Sequence, residues 1–293
     1  MNGFINLLKP PGMSSGAAVA VVKRLTHERV GHAGTLDPEA AGVLPVMVGR
    51  ATRLLDYFTD HSKSYVAEIA FAGATDTQDA QGTIIENAAG VPGREEILAV
   101  LPKFTGTILQ RPPAYSALKR DGVPLYALAR QGKLVETEGR ETLIRRLELG
   151  KKTGQDGCML FVDCGSGTYI RTLCHDIGQA LNTPAHMRFL LRTRHGAFSI
   201  ENAVTMEELM AAAEVNMLEN LLLPLDFPLN DLPGIQLPER LWKLGRNGGK
   251  LPADLLPELK DGELCRVYAA EELLGVAHLE GNILRFDVGL TGG

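Results

Sequence analysis

Between Gly31 and Pro45 the chain reads Gly-His-Ala-Gly-Thr-Leu-Asp-Pro-Glu-Ala-Ala-Gly-Val-Leu-Pro, and this stretch restricts the backbone more than any other part of its 293 residues. Glycines at 31, 34 and 42 permit positive φ and the close approach of another backbone, while Pro38 and Pro45 limit φ and remove two amide donors. The pattern predicts a rigid loop that presents one carboxylate, Asp37. An isolated Asp-Pro is usually a tight turn in which the aspartate caps its own backbone. The punctuation around Asp37 exceeds what a turn requires, and it makes this residue the first candidate for chemistry.

Elsewhere the pattern predicts strands interrupted by helices without regular βαβ alternation, an α+β fold with a central mixed or antiparallel sheet. Gly3 to Leu8 reads as a strand stopped by Lys9-Pro10-Pro11-Gly12, and Ser14 or Ser15 caps a following helix through Leu25. Ala51 to Phe58 reads as one or two helical turns, residues 63–72 alternate as a strand, and a helix runs from about Pro92 to Leu101. Gly122 to Gly132 reads as a short helix, with strands over about 134–152 and 157–164. Residues 168–181 place Ile170, Leu173, Cys174, Ile177 and Leu181 on one helical face. Prolines at 224, 228, 233 and 238 mark a boundary, so that domains of 1–232 and 233–293 are expected, the second with three short strands starting near Glu263, Leu274 and Asn282.

A chain with 45% hydrophobic and 22% charged residues is an ordinary globular composition, with no apolar run long enough to span a membrane. The start Met1-Asn2-Gly3-Phe4 has no signal-type character, and a cytoplasmic location is expected. Four cysteines without Cys-x-x-Cys spacing suggest buried apolar thiols, and the adjacent Cys174-His175 lacks the second pair a metal site needs. The net charge of −5 does not point to nucleic acid, but its distribution does. Residues 111–133 carry five Lys or Arg against one acid, 186–195 carry three arginines and no acid, and 201–233 carry seven acids and no base. Such segregation suits a local phosphate-binding face, since counterion release depends on the charges at the contact.

Arg171 is the second conspicuous residue. Thr168 reads as the N-cap of the helix, which puts a cation in the first turn against the macrodipole. Tyr65 in Lys63-Ser64-Tyr65 is a good strand former, His32 a polar residue in a glycine-rich loop, and Lys9 a solvated lysine, when each is read alone.

Read together, these runs resemble the TruB family, the bacterial tRNA pseudouridine-55 synthases. The likeness rests on Gly34-Thr35-Leu36-Asp37-Pro38, Lys63-Ser64-Tyr65, Gly167-Thr168-Tyr169-Ile170-Arg171 and the Lys9-Pro10-Pro11-Gly12 turn. It extends to Pro112 through Lys119 with Leu125 to Arg130, and to Leu190 through Phe198, in the family's order over roughly 3–200. The resemblance implies that Asp37 is the catalytic nucleophile, that Arg171 pairs with it and that Tyr65 stacks on the target base. It implies that His32 fills the space left by an extruded nucleotide, and that Lys9 supports the loop or contacts a phosphate. Tyr115, Lys119, Tyr169, Leu191 and Arg192 are expected among the substrate- and RNA-binding residues, with the 190–198 block closing a uracil pocket.

The implied reaction converts uridine 55 in the T loop of tRNA to pseudouridine: base flipping, glycosidic cleavage, rotation of the base and C1′–C5 bond formation. It needs no cofactor, metal or redox change. The implied fold is the pseudouridine-synthase α+β fold with a small C-terminal PUA-like β domain that binds RNA. The expected partner is the T stem-loop, with tRNA bound and folded by a monomer that has no membrane association. Two rival readings remain beside it. A non-catalytic RNA-binding or RNA-folding protein would use the same face. A phosphatase with an aspartate nucleophile is suggested by the letters Gly-Thr-Leu-Asp, but in the haloacid-dehalogenase signature the aspartate precedes Gly-Thr-Leu, and here it follows.

Overall fold

The computed structural model describes residues 1–113, 115, 119–120, 122–124, 137–252 and 259–291. Its first strands are β1 (Gly3–Lys9), β2 (Val30–His32), β3 (Ala41–Val48) and β4 (Lys63–Ala70), followed by the hairpin β5 (Ala74–Thr75) and β6 (Ile84–Glu86). Then come β7 (Gly106–Gln110), the short pair β8 (Lys119–Arg120) and β9 (Val123–Pro124), β10 (Arg140–Thr153), β11 (Gly157–Cys164), β12 (His186–His195) and β13 (Phe198–Ser199). Nine of these form one mixed sheet in the order β1-β3-β12-β4-β11-β10-β7, with β2 added to β3 and β13 to β12. Only β12 against β3 is parallel, and it pairs there through Leu191 with Ala41 and Arg192 with Gly42.

Period-two alternation puts Ile5, Leu7, Leu44, Val46, Ala67, Ile69, Leu160 and Val162 on one face. Helices α1 (Ser15–Thr26), α2 (Arg94–Val100) and α3 (Ile170–Ala180) cover that face. α1 contributes Ala18 and Val22; α3 contributes Ile170, Leu173, Cys174 and Ile177, each large aliphatic side chain adding about 1.5–3 kcal/mol when fully buried. The other face at the β1–β3 end buries Phe4, Val43, Met47, Phe58 and Phe198, with Phe4 edge-on to Phe58 at 5.7 Å and to Phe198 at 5.8 Å.

All eight residues of β3 are buried. A strand covered on both faces shows a continuous apolar run and no alternation, which is why residues 41–45 read as part of a loop. The loop proper is shorter, from Ala33 to Ala40, and Pro45 sits inside the strand opposite Asn6. The expected turns over Ala51 to Phe58 are 3₁₀ segments, Gly49–Arg53 and Leu55–Tyr57. The helix expected over Gly122 to Gly132 is corrected at its start, where Val123–Pro124 pairs with Lys119–Arg120 as a strand; 125–132 lie outside the described residues.

After α4 (Met206–Glu214) and the proline-rich segment, a second sheet begins at β14 (Gly234–Gln236). With α5 (Glu239–Arg246), β15 (Leu251–Pro252), β16 (Leu264–Ala269), β17 (Glu272–Glu280) and β18 (Ile283–Gly289), it has the order β14-β16-β17-β18-β15. Leu273 and Val276 from this sheet, with Leu290 just beyond β18, join the Phe4 and Phe198 cluster, and Arg53 Nη1 donates to Gly289 O at 3.1 Å. Among the described residues no helix is long and apolar enough to cross a membrane.

Candidate active site

Asp37 lies at the far end of a loop whose backbone is held from below by buried side chains. Ser15, the first residue of α1, accepts from Leu36 N and donates to Leu36 O, both at 2.9 Å. Lys9, fully buried at the end of β1, donates from Nζ to Pro38 O at 3.0 Å, Pro10 O at 2.9 Å and Met13 O at 2.6 Å. Arg192 Nη2 donates to Gly34 O at 2.9 Å. Burial pushes Lys9 down to about 8, against the pull of Glu39 and Asp37. These contacts give Lys9 the loop-supporting role and correct its reading as a phosphate contact.

Above this support the Asp37 carboxylate meets Arg171. Oδ2 is 3.0 Å from Nε and Oδ1 is 3.4 Å from Nη2, a two-point contact with one edge of the guanidinium. The other side of Arg171 faces the Thr75–Gly82 segment: Nη1 donates to Thr77 O at 3.3 Å and stands 3.6 Å from Asp79 Oδ2. Nη2 also donates to Tyr115 O at 2.9 Å. The Arg171 side chain is 7% exposed and that of Asp37 is 42% exposed, so the pair is buried on the arginine side and open at the carboxylate. Burial raises the Asp37 pKa above its ordinary value; Arg171 opposes the rise and Asp79 adds to it.

The helix behind Arg171 is capped differently from expectation. Tyr169 is the N-cap and makes no side-chain cap, while the Thr168 hydroxyl is engaged with Thr142 and with Gly165 O. Gln110 closes the gap by accepting from Tyr169 N at 3.0 Å and donating to Tyr169 O. Arg171 still falls in the first turn, where two flanking carboxylates compensate the unfavourable helix end.

The open side of Asp37 borders a cavity of about 170 Å³ lined by Thr35, Leu36, Tyr65, Thr168, Tyr169, Ile170, Arg171 and Leu190. This is below the roughly 300–1,000 Å³ of pockets for drug-sized ligands. Its walls mix the apolar side chains of Leu36, Ile170 and Leu190 with two tyrosine rings and the polar groups of Thr35, Thr168 and Arg171. Tyr65 is 8% exposed, and burial pushes its hydroxyl up to about 12, so it stays protonated at neutral pH.

Several expected site residues stand elsewhere. Leu191 is one residue out of phase: Leu190, opposite Ala67, lines the cavity, and alternation turns Leu191 to the other face. Arg192 is 1% exposed with its guanidinium spent on protein acceptors, which corrects its reading as an RNA contact. The basic run 186–195 is equally committed, because Arg188 pairs with Glu68 and Asp156 and Arg194 with Asp60. His32 ends β2 opposite Val46, outside the cavity lining, with its pKa lowered by burial and by Arg192. Tyr115 contributes its carbonyl, Tyr169 lines the cavity, and the Lys119 side chain lies outside the described residues. Asp79 and Ser15 were not foreseen as site residues; Asp79 stood in a run that reads only as a polar loop, Thr75 to Gly82.

Both the sequence and the fold of this chain have counterparts among known proteins. A family model described as TruB family pseudouridylate synthase, N-terminal domain, matches residues 23–170. The chain belongs to the TruB family of pseudouridylate synthases. A second model, the tRNA pseudouridylate synthase B C-terminal domain, matches 171–230. Among TruB-family relatives, the tRNA pseudouridine synthase B of Pelotomaculum thermopropionicum is 41% identical over 287 residues, covering 94% of this chain and 91% of that one. The protein of the same name from Ectopseudomonas mendocina is 46% identical over 243 residues, covering 82% and 79%. The crystal structure of a Cbf5-Nop10-Gar1 complex matches with TM-score 0.75 and 27% identity, over 98% of this chain and 84% of that one. An H/ACA RNP bound to a substrate RNA containing 2′-deoxyuridine matches with TM-score 0.75 and 25% identity, over 99% and 85%.

Proposed function

We propose that this chain isomerises uridine to pseudouridine at position 55 in the T loop of tRNA. The observation that carries the reading is the Asp37–Arg171 contact of 3.0 Å at the edge of a small cavity walled by Leu36, Tyr65, Ile170 and Leu190, in a TruB-family chain. Uridine 55 leaves the T loop and its base enters the cavity, where the Tyr65 ring stacks on it. Asp37 acts on the nucleoside as nucleophile or base, at C1′, at C6 or at a ribose proton. The Arg171 guanidinium keeps the carboxylate ionised and oriented once the base has excluded water.

The C1′–N1 bond breaks, the base turns, and C1′ joins C5; the proton lost from C5 is balanced by one gained at N1, so the product is an isomer. Walls such as Leu36, Ile170 and Leu190 hold a ring without fixing its polar edges, which suits a base that must turn while bound. The sheet of residues 234–289 serves as a PUA-like RNA-binding domain beside a catalytic domain of 1–232. Recognition of a folded stem-loop with one splayed base is the usual route to sequence-selective RNA binding.

The test is tritium release from a tRNA transcript carrying [5-³H]uridine, with the modified position mapped by chemical probing. Release of one equivalent, confined to position 55, is expected. No release sinks the activity, and release from another uridine sinks the choice of site.

A further inference from the structure

Arg192 is among the largest fully buried side chains of the molecule, and no carboxylate pairs with it among the described residues. Its groups are spent on neutral partners: Nε donates to Val43 O at 2.7 Å, Nη2 to Gly34 O at 2.9 Å, and the guanidinium interacts with the hydroxyl of Tyr65, its partner across the β12–β4 pair. Lys63 lies close enough to feel its charge, while burial and Arg192 keep His195 neutral, so neither neighbour offers a counter-charge. A buried guanidinium without a counter-ion is costly, and an apolar side chain of similar volume would fill the space more cheaply. Its location accounts for the expense in another way.

Gly34 and Val43 flank the segment that carries Asp37, and Tyr65 is a wall of the cavity that the carboxylate faces. One rigid fork thus joins both ends of the Asp37 loop to the tyrosine. The strand around Arg192 also fixes the two glycines nearest it. A Cβ on Gly42 would lie 2.2 Å from Arg192 O, and one on Gly34 would lie 2.8 Å from His195 Cε1 and 3.4 Å from Arg192 Nη1. Both glycines have positive φ, so the loop is seated directly on this strand at both ends.

We propose that Arg192 is a positioning residue that sets the spacing between the Asp37 loop and the Tyr65 ring, acting on turnover from beneath the site and not on RNA. The inference rests on the function proposed above, in which Asp37 and Tyr65 must both meet one base. A planar fork can hold two backbone carbonyls while staying beside the tyrosine, and a lysine ammonium cannot reproduce that geometry.

The experiment compares wild type, Arg192→Lys, Tyr65→Phe and the double variant on a uridine-55 tRNA transcript, reading kcat, KM, tRNA affinity and thermal unfolding. Arg192→Lys is expected to lose about 10- to 100-fold in kcat, the cost of a misplacement near 1 Å, with KM and tRNA affinity within about threefold of wild type. The double variant is expected to lose less than the product of the single losses, because both residues act through one contact. An unchanged kcat, a loss confined to KM or tRNA affinity, or fully additive losses would overturn the proposal. Whether or not Arg192→Lys folds, hydrogen exchange of residues 33–41 in Tyr65→Phe gives a separate reading: faster exchange supports the tie, and unchanged exchange refutes it. Wild-type turnover is the control, since a wild type that makes no pseudouridine removes the proposed function itself, whereas an active wild type with an unaffected Arg192→Lys removes only this inference.

Discussion

Toward the cavity, the Asp37 loop meets one guanidinium set between two carboxylates; toward the interior, it meets a guanidinium and an ammonium whose hydrogen bonds go to backbone carbonyls. The first arrangement sets charge. Arg171 opposes the rise that burial imposes on Asp37, while Asp79 shares the same arginine and pushes the other way. The second arrangement sets position, since Lys9, Ser15 and Arg192 grip backbone atoms at Pro38, Leu36 and Gly34 and make no hydrogen bond to the carboxylate. A carboxylate that must react cannot also anchor its own loop. Dividing the two tasks between opposite sides of one segment resolves that conflict.

The comparison breaks most visibly at Arg171. Arg171→Lys keeps the charge but loses the two-point contact and the bonds to Thr77 and Tyr115, and kcat is expected to fall about 100-fold while tRNA binding holds. Single-turnover rates on a T-arm transcript check it; a rate near wild type would show that a point charge suffices and that the fork is idle.

On the interior side the expected effect is on stability. His195 is 3% exposed, its Nδ1 is buried without a partner among the described residues, and burial with nearby Arg192 lowers its pKa from 6.5 to about 2. The unfolded chain takes up this proton below pH 6.5 and the folded chain does not until about pH 2, so stability is lost as pH falls through that window. Between pH 7 and 5 the loss is about 2 kcal/mol. Urea titrations of His195→Phe at the two pH values are expected to show a smaller acid loss than wild type; an equal loss would place the sensitivity elsewhere.

The smallest effect is expected at Asp79. Asp79 raises the Asp37 pKa, so Asp79→Asn moves the acid limb of the kcat profile to lower pH, provided ionised Asp37 is the active form. A limb that moves upward would mean that Asp79 acts mainly by orienting Arg171.

What the sequence revealed follows which physical signals are local. β4 and β11 are covered on one face along most of their length, and their alternation shows; α3 displays its buried face at helical spacing. β3 is buried on both faces and carries glycine and proline, so its local signals describe a loop. In β12, three arginines drew the reading toward a solvent face, whereas two are paired and the third is enclosed; charge in a sequence does not say where its counter-charge lies. Leu190 and Leu191 differ only by strand parity, which pairing with β4 decides. The Asp37–Arg171 contact, across 134 residues, was available only through the family resemblance of the two motifs that carry it. Asp79 had no such motif in view, and only the folding back of the β5–β6 hairpin brings it to Arg171.

The central claim is that Asp37 supplies the chemistry in a loop that other residues hold. It is tested most directly by Asp37→Asn, with tritium release and tRNA affinity measured on the same preparation. Pseudouridine formation is expected to fall at least about 1,000-fold, with tRNA affinity within about threefold of wild type, because a neutral amide keeps the size and loses the reactive carboxylate. Substantial turnover by Asp37→Asn would contradict the account.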